Sequence, residues 1–414
     1  MKKEIVEGLY GKEVEAPLFE KRIEILMNKH QLLFNKDADA VFSASGRTEL
    51  GGNHTDHNLG KVVAASISLD TVAAVHKTDD FSVTFVSDGY NPIKVDLNNL
   101  DIVQSEQGKT DALIRGIAFS FAKRGVKVGG FCANVISSVL RGSGLSSSAS
   151  VEVLIASVFN NLYNGNKFST TELAIIGREA ENNYFGKPCG LMDQVACANG
   201  GVVGIDFLNV EKPVITPVNA DFSKWGYSLV ITDVKANHAD LTPDYAAIPS
   251  EMRAVASYFG KKNLGELSPS VFFENIAQLR KKLNNDRAVL RAYHFFSETK
   301  RAGDMITALE KDDCTAYMEL VRESGLSSFR YLQNIYSPSA PTLQAVAIAL
   351  ADSERLLGKN GVSRVHGGGF AGTIQSYVPI DFEDEYIART EKIFGKGCCT
   401  VLAIRNLPVM MLPY

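Results

Sequence analysis

A glycine- and serine-rich run, Gly142 to Ser150 in RGSGLSSSAS, leads straight into Val151, Leu154, Ile155, Val158 and Leu162, apolar residues at helical spacing. The chain must therefore hold a tight loop whose last residues open a helix. Gly142 and Gly144 permit positive φ and close backbone approach, while Ser146, Ser147 and Ser148 bring hydroxyls and backbone N–H groups to the helix start. Free N–H groups and the helix dipole favour an anion, which makes Gly142, Ser143, Gly144, Leu145, Ser146, Ser147 and Ser148 a candidate phosphate cradle. No Lys occupies the Walker position, which disfavours a P-loop fold. Alone, the segment reads equally well as a glycine turn followed by a serine cap.

The chain of 414 residues is too long for one ordinary core, since domains run about 100 to 200 residues, so two domains with a cleft between them are expected. AVFSASGR, KVVAASISLDTVAAVHKT, FSVTFVSD and GFCANVISSV read as strands, and KTDALIRGIAFSFAKRG as a helix. Ser169 with Glu172 makes a capping box for a helix that carries Glu179 and Glu181 toward its end. Beyond about residue 245 helical patterns dominate, as in DRAVLRAYHFFSETKRAGDMITALE, broken by the strand-like TIQSYVP and CTVLAIRN. The expected fold class is α+β, with a mixed α/β domain over 1–210 and a helix-rich α+β domain over 211–414.

Hydrophobic residues make up 45% and charged residues 22% of the chain, and the net charge is -4 with no long single-sign block. That balance gives no reason to expect nucleic acid or anionic lipid as a partner, leaving small molecules or protein. The N-terminus MKKEIVEGLYGKEVEA lacks an apolar signal core and no run reaches the length of a membrane span, so a cytoplasmic protein without a membrane partner is expected. Cys132, Cys189, Cys197, Cys314, Cys398 and Cys399 form no CxxC pair and read as reduced and mostly buried.

HGGGFAG satisfies GxGxxG, yet it runs into a strand near the chain end instead of opening a helix in an N-terminal βαβ unit, so a dinucleotide fingerprint is disfavoured. His54, Asp56 and His57 in NHTDHNLG offer metal-ligand chemistry without a matching third cluster, and gripping a polyol suits them better.

The order GRTELGGNHTDHNLG, GSGLSSSAS, ENNYFGKPCGLMDQ, GGGFAG resembles the galactokinases of the GHMP kinase superfamily from about residue 40 to 375. That resemblance implies a two-domain GHMP kinase fold with the active site in the interdomain cleft, ATP and Mg²⁺ as cofactors, and a monomer that phosphorylates a sugar's anomeric hydroxyl. It implies that Asp193 is the catalytic base and Arg47 its charge-stabilising neighbour, and that Ser148 and Glu181 hold Mg²⁺. It also implies that Asn53, His54, Asp56, Gly190 and Tyr245 line the sugar site. An Asp beside Arg⁺ stays ionised and can accept a hydroxyl proton, which agrees with that pairing.

Six positions depart from the family pattern. Glu49 stands where Asn is usual and Asn53 where a Glu contacts the sugar's 6-hydroxyl; His57, Leu140, His366 and Ala371 replace Tyr, Pro, Thr and Gly. Asn53 both donates and accepts, so a 6-hydroxyl still fits, while a 6-carboxylate or a pentose becomes less forbidden. Galactose is the first expected substrate, followed by galacturonate, arabinose or an amino sugar. A non-catalytic galactokinase-like sugar sensor is the reading from another class, and the intact serine loop with Asp193 and Arg47 argues against it.

Overall fold

The structure is a computed structural model that describes residues 2–11, 16–139, 144–187, 189–236, 241–370 and 372–413. Gly142 and Ser143 of the expected phosphate cradle, with Leu140 and Ala371, lie outside the described residues.

The chain opens with helices α1 (Lys3–Tyr10) and α2 (Ala16–Phe34), then strands β1 (Ala40–Gly51), β2 (Lys61–Lys77), β3 (Ser82–Ser87) and β4 (Ile93–Asp96). Next come α3 (Thr110–Lys123), β5 (Phe131–Ser137), α4 (Ser147–Asn164), α5 (Thr170–Ala180), α6 (Met192–Asn199), β6 (Val202–Asp206) and β7 (Val214–Val218). The second half holds β8 (Tyr227–Asp233), α7 (Thr242–Tyr258), α8 (Pro269–Glu274), α9 (Ile276–Leu283), α10 (Asp286–Glu310) and α11 (Cys314–Ser327). It finishes with α12 (Ala345–Leu357), β9 (Val362–His366), β10 (Thr373–Pro379), α13 (Glu383–Phe394), β11 (Cys399–Leu402) and β12 (Met410–Met411).

The first sheet runs β12-β1-β2-β5-β3-β4, with β6 and β7 continuing from the other end of β2. The length of β2 allows this: Thr71 to Lys77 pair with β5 and Lys61 to Ala65 with β6. Side chains alternate across a strand, so β1 and β2 serve two cores at once. Phe42, Ala44, Ala73 and Val75 pack with α3 to α6, while Val41, Val72 and Ala74 face α1 and α2. Farther along, Leu50, Val63 and Ala65 meet Ala302 and Met305 of α10 in a core shared with the second half. The smaller antiparallel sheet, β11-β8-β10-β9, and helices α7 to α13 complete the α+β architecture.

The expected helix over 286–310 and strand over 373–379 coincide with α10 and β10, and the capping box of Ser169 and Glu172 opens α5. Sheet membership crosses the expected division at 210/211: β7 pairs with β6, and β12 returns to β1. Backbone pairing, not sequence proximity, sets which sheet a strand joins. All six cysteines are free, but only Cys197 and Cys398 are fully buried. Among the described residues no helix is long and apolar enough to cross a membrane.

Candidate active site

The register of β1 slips between Ser45 and Arg47 and again between Glu49 and Gly51. Such bulges re-aim side chains. Gly46, at the first, lets the serine loop lie against the strand, because a Cβ there would sit 2.9 Å from the Leu145 carbonyl oxygen. The Arg47 amide donates to that same carbonyl at 3.1 Å.

Arg47 is 6% exposed and reaches Asp193 in the first turn of α6, donating from Nε at 2.8 Å and from a terminal nitrogen at 3.0 Å. Its other terminal nitrogen donates to the Gly144 carbonyl, and the Ser146 hydroxyl donates to Asp193 Oδ2. Burial alone would push the Asp193 carboxyl up, but the Arg47 guanidinium and the Ser146 hydroxyl reverse this and hold it below the usual carboxylate range. Its side chain keeps 36% of its surface exposed.

Ser146 precedes α4 at φ 59° and, with its hydroxyl spent on Asp193, makes no side-chain cap. Among the described residues no side-chain cap satisfies the first N–H groups of α4, an arrangement that suits an anion. Beneath the loop, His366 Nδ1 lies 3.0 Å from Thr373 Oγ1 while Nε2 accepts from the Glu49 amide, which fixes the neutral tautomer. Burial and the nearby Arg47 drive this imidazole well below its ordinary pKa. A Cβ on Gly144 would meet Thr373 Oγ1 at 2.9 Å and His366 Nδ1 at 3.2 Å, so only glycine fits the loop there, where φ is +71°.

A second cluster forms around the turn joining β9 to β10. His54, at φ 56°, lies with Nε2 3.0 Å from the Gly368 carbonyl, and Tyr245 donates its hydroxyl to the Gly369 carbonyl at 2.9 Å. Burial and His57 lower the His54 pKa to about 3, so its Nδ1 is left as an acceptor toward His57. Asp56 lies against Gly190, where a Cβ would sit 1.8 Å from Oδ2. That contact joins the NHTDH and CGLMDQ segments, three residues from Asp193. His54, Ser146 and Phe370 all carry positive φ. Such backbone strain concentrates where a site over-determines the chain.

Asn53 does not fit its expected place in the sugar-lining set. It is fully buried, its Nδ2 donates to both Glu49 oxygens and to the Gly367 carbonyl at 2.7 Å, and its Oδ1 accepts from Asn334 and Ser328. No hydrogen-bonding capacity is left for a sugar hydroxyl. Glu49, the other exchanged residue, forms a buried ion pair with Arg364 of β9 at 2.6 Å. The exchange is compensated inside the protein, which sequence could not reveal because Arg364 lies 315 residues away.

In the first turn of α4, Ser148 Oγ lies 3.3 Å from Glu181 Oε1, and Lys187 Nζ lies 3.5 Å from the same oxygen. Glu181 opens a π-helical turn, Glu181–Phe185, that prolongs α5. Adjacent ligands of an octahedral ion at about 2.1 Å stand roughly 3 Å apart, close to the Ser148–Glu181 spacing. Among the described residues no group of three or more His, Cys, Asp or Glu side chains is placed to hold a metal. A sparse pair of hard oxygens suits Mg²⁺, which keeps waters and phosphate oxygens as its other ligands. Gln194 and Glu152, unassigned from sequence, lie behind Glu181: the Gln194 amide donates to both carboxylates at 2.9 Å. A carboxylate at position 152, on the otherwise apolar face of α4, was the available signal.

The GHMP kinases N terminal domain profile matches residues 112–201, and the galactokinase galactose-binding signature matches residues 28–77. A galactokinase from Clostridium beijerinckii is 28% identical over 378 residues, 89% of this chain and 92% of that protein. Among solved structures, the Lactococcus lactis galactokinase complexed with galactose superimposes with a TM-score of 0.80 at 23% identity, covering 94% of this chain and 100% of that one. The Methanococcus jannaschii mevalonate kinase follows the same fold at a TM-score of 0.61 and 14% identity, over 88% of this chain and 98% of that one.

An α+β fold with a glycine-serine loop at a helix start, together with the GHMP kinase profile over residues 112–201, makes this chain similar to the GHMP kinases and gives it their fold. The signature over 28–77 and the galactokinase relative, taken with that fold, support a galactokinase-like phosphotransferase with an alcohol group as acceptor.

Proposed function

We propose that the chain is an ATP-dependent sugar-1-kinase that phosphorylates the anomeric hydroxyl of a hexose, with galactose as its first substrate. The observation that carries this reading is Asp193, held ionised by the two-pronged Arg47 contact yet still 36% exposed. In the proposed reaction Asp193 takes the hydroxyl proton as the sugar oxygen bonds to the γ-phosphorus. The bond to the β-phosphate oxygen breaks and ADP leaves. Arg47 offsets the charge developing on the transferring group.

Gly142 to Ser148 cradle the phosphates in this reading, and Ser148 and Glu181 hold Mg²⁺, which neutralises phosphate charge when bound. His54, Asp56, Gly190 and Tyr245 line the sugar. The phosphate and base residues fall within 1–210, while Tyr245 and the 366–372 turn come from 211–414, and the division is kept as a functional one. A single chain in the cytoplasm, with the sugar and MgATP as its partners, is the proposed working unit.

A second reading within the class follows from Asn53. With its amide engaged and Glu49 neutralised by Arg364, position 53 offers neither a donor nor a charge to the sugar's sixth carbon. Discrimination there weakens, so a pentose such as arabinose is tolerated, whereas nothing at this position attracts the carboxylate of galacturonate.

A labelled-ATP assay across galactose, arabinose, galacturonate and galactosamine tests both readings. Galactose turnover with measurable arabinose turnover is expected. No sugar-dependent turnover at all would leave the sensor as the better reading. Asp193→Asn should lower kcat by about 10²- to 10⁴-fold while nucleotide binding persists; wild-type turnover in that variant would remove Asp193 from its role.

A further inference from the structure

We infer that Gln194 and Glu152 are positioning residues that fix the Glu181 carboxylate for metal binding. This rests on the reading above that Glu181 and Ser148 hold Mg²⁺.

Gln194 Nε2 carries two hydrogens, and each finds a carboxylate: Glu181 Oε2 at 2.9 Å and Glu152 Oε2 at 2.9 Å. Facing the Glu181 carboxylate takes the nitrogen of the amide, and the Glu152 carboxyl, whose pKa burial and the nearby Glu181 push well up, accepts its second hydrogen. Tying back Glu181 Oε2 leaves Oε1 as the oxygen that meets Ser148 and Lys187. The division of labour between the two oxygens is thus decided by an amide that itself touches neither Ser148 nor any open surface, since Gln194 is fully buried.

Glu152 anchors the amide from the other side. It lies one helical turn beyond Ser148 on α4, is fully buried, and occupies space that Gly177 of α5 leaves open, where a Cβ would lie 3.2 Å from the Glu152 Cβ and 3.3 Å from Oε2. The arrangement is not one that stability would favour. Among the described residues Glu152 Oε1 and Gln194 Oε1 are buried without a hydrogen-bond partner, a desolvation cost that an apolar pair would avoid. Partners that orient a ligating carboxylate give such a cluster a reason to persist.

The test measures binding of a non-hydrolysable ATP analogue by titration calorimetry, once with Mn²⁺ and once with EDTA, and takes the ratio of the two affinities. Glu152→Ala and Gln194→Ala should shrink that ratio by about 10- to 100-fold, with binding in EDTA unchanged. Glu152→Gln should restore it, because its side-chain carbonyl still accepts from Gln194. A wild-type ratio in both alanine variants, alongside a lost ratio in Glu181→Ala, would overturn the positioning role and leave the metal reading standing. A wild-type ratio in Glu181→Ala would overturn both. If Glu152→Ala fails to fold, Gln194→Ala decides alone.

Discussion

Asp193 shows how one carboxylate is kept ready. Its contacts to Arg47 and Ser146 outweigh burial and keep its pKa depressed, so protonation of this group sets no acid limb above the ordinary Asp range in the wild type. Removing the cation reverses the sign: Arg47→Ala raises the Asp193 pKa, and the acid limb of kcat/KM moves up with it, besides the loss in rate. A pH profile of that variant with the limb unmoved would show that Arg47 does not control the ionisation. At position 53 the expectation from sequence changes in kind. Asn53→Glu does not add a sugar contact; it sets a second carboxylate beside Glu49 and removes two N–H donors. We expect a loss of about 2 to 4 kcal/mol in urea denaturation, with Glu49→Asn recovering at least ~1 kcal/mol of it in the double variant. Strict additivity would mean that the two positions are uncoupled.

The N-terminal helices depend on a single buried acid. Asp70 of β2 accepts from Tyr10 of α1, from Arg22 of α2 at 2.8 Å and from Ser43 of β1 at 2.8 Å, with Arg405 at 3.9 Å. One side chain therefore fastens two helices, two strands and the C-terminal segment. Asp70→Ala would leave the fully buried Arg405 without its counter-charge and should cost about 3 to 5 kcal/mol, measured by the denaturation midpoint. The capping box of α5 is smaller in effect: Ser169→Ala should cost about 1 kcal/mol. These magnitudes differ because the cap can be replaced by water and the buried carboxylate cannot.

Across the whole molecule, Glu298 of α10 links the two halves, accepting from the Gly52 amide at 3.0 Å, from Ser324 of α11 and from Arg301. Burial pushes its carboxyl up, but His294, Arg301 and Arg364 bring the pKa down to about 2 from an ordinary 4.5. A depressed carboxyl stabilises the fold above its unfolded pKa and ceases to do so as pH falls through the folded one, so roughly 3 kcal/mol is lost between about pH 4.5 and 2. Glu298→Gln should be that much less stable at pH 7, and its deficit should narrow below pH 4. An equal deficit at both pH values would contradict the linkage.

Much of this was legible in the residues. Strand and helix periods in β1, β2, α3 and α10 are local, and the serine loop, Arg47 and Asp193 lie in short motifs whose chemistry is carried by residue type. What sequence could not show were the partners: Arg364 for Glu49, Asn334 for Asn53, Gln194 between Glu152 and Glu181. The amino-acid sequence by itself determined the strand and helix periods, the α+β class and the glycine-serine loop at a helix start, because these follow from neighbours along the chain. Only the tertiary structure decided which polar atoms stay free for a ligand, because hydrogen-bond capacity is limited and folding spends it on residues hundreds of positions apart.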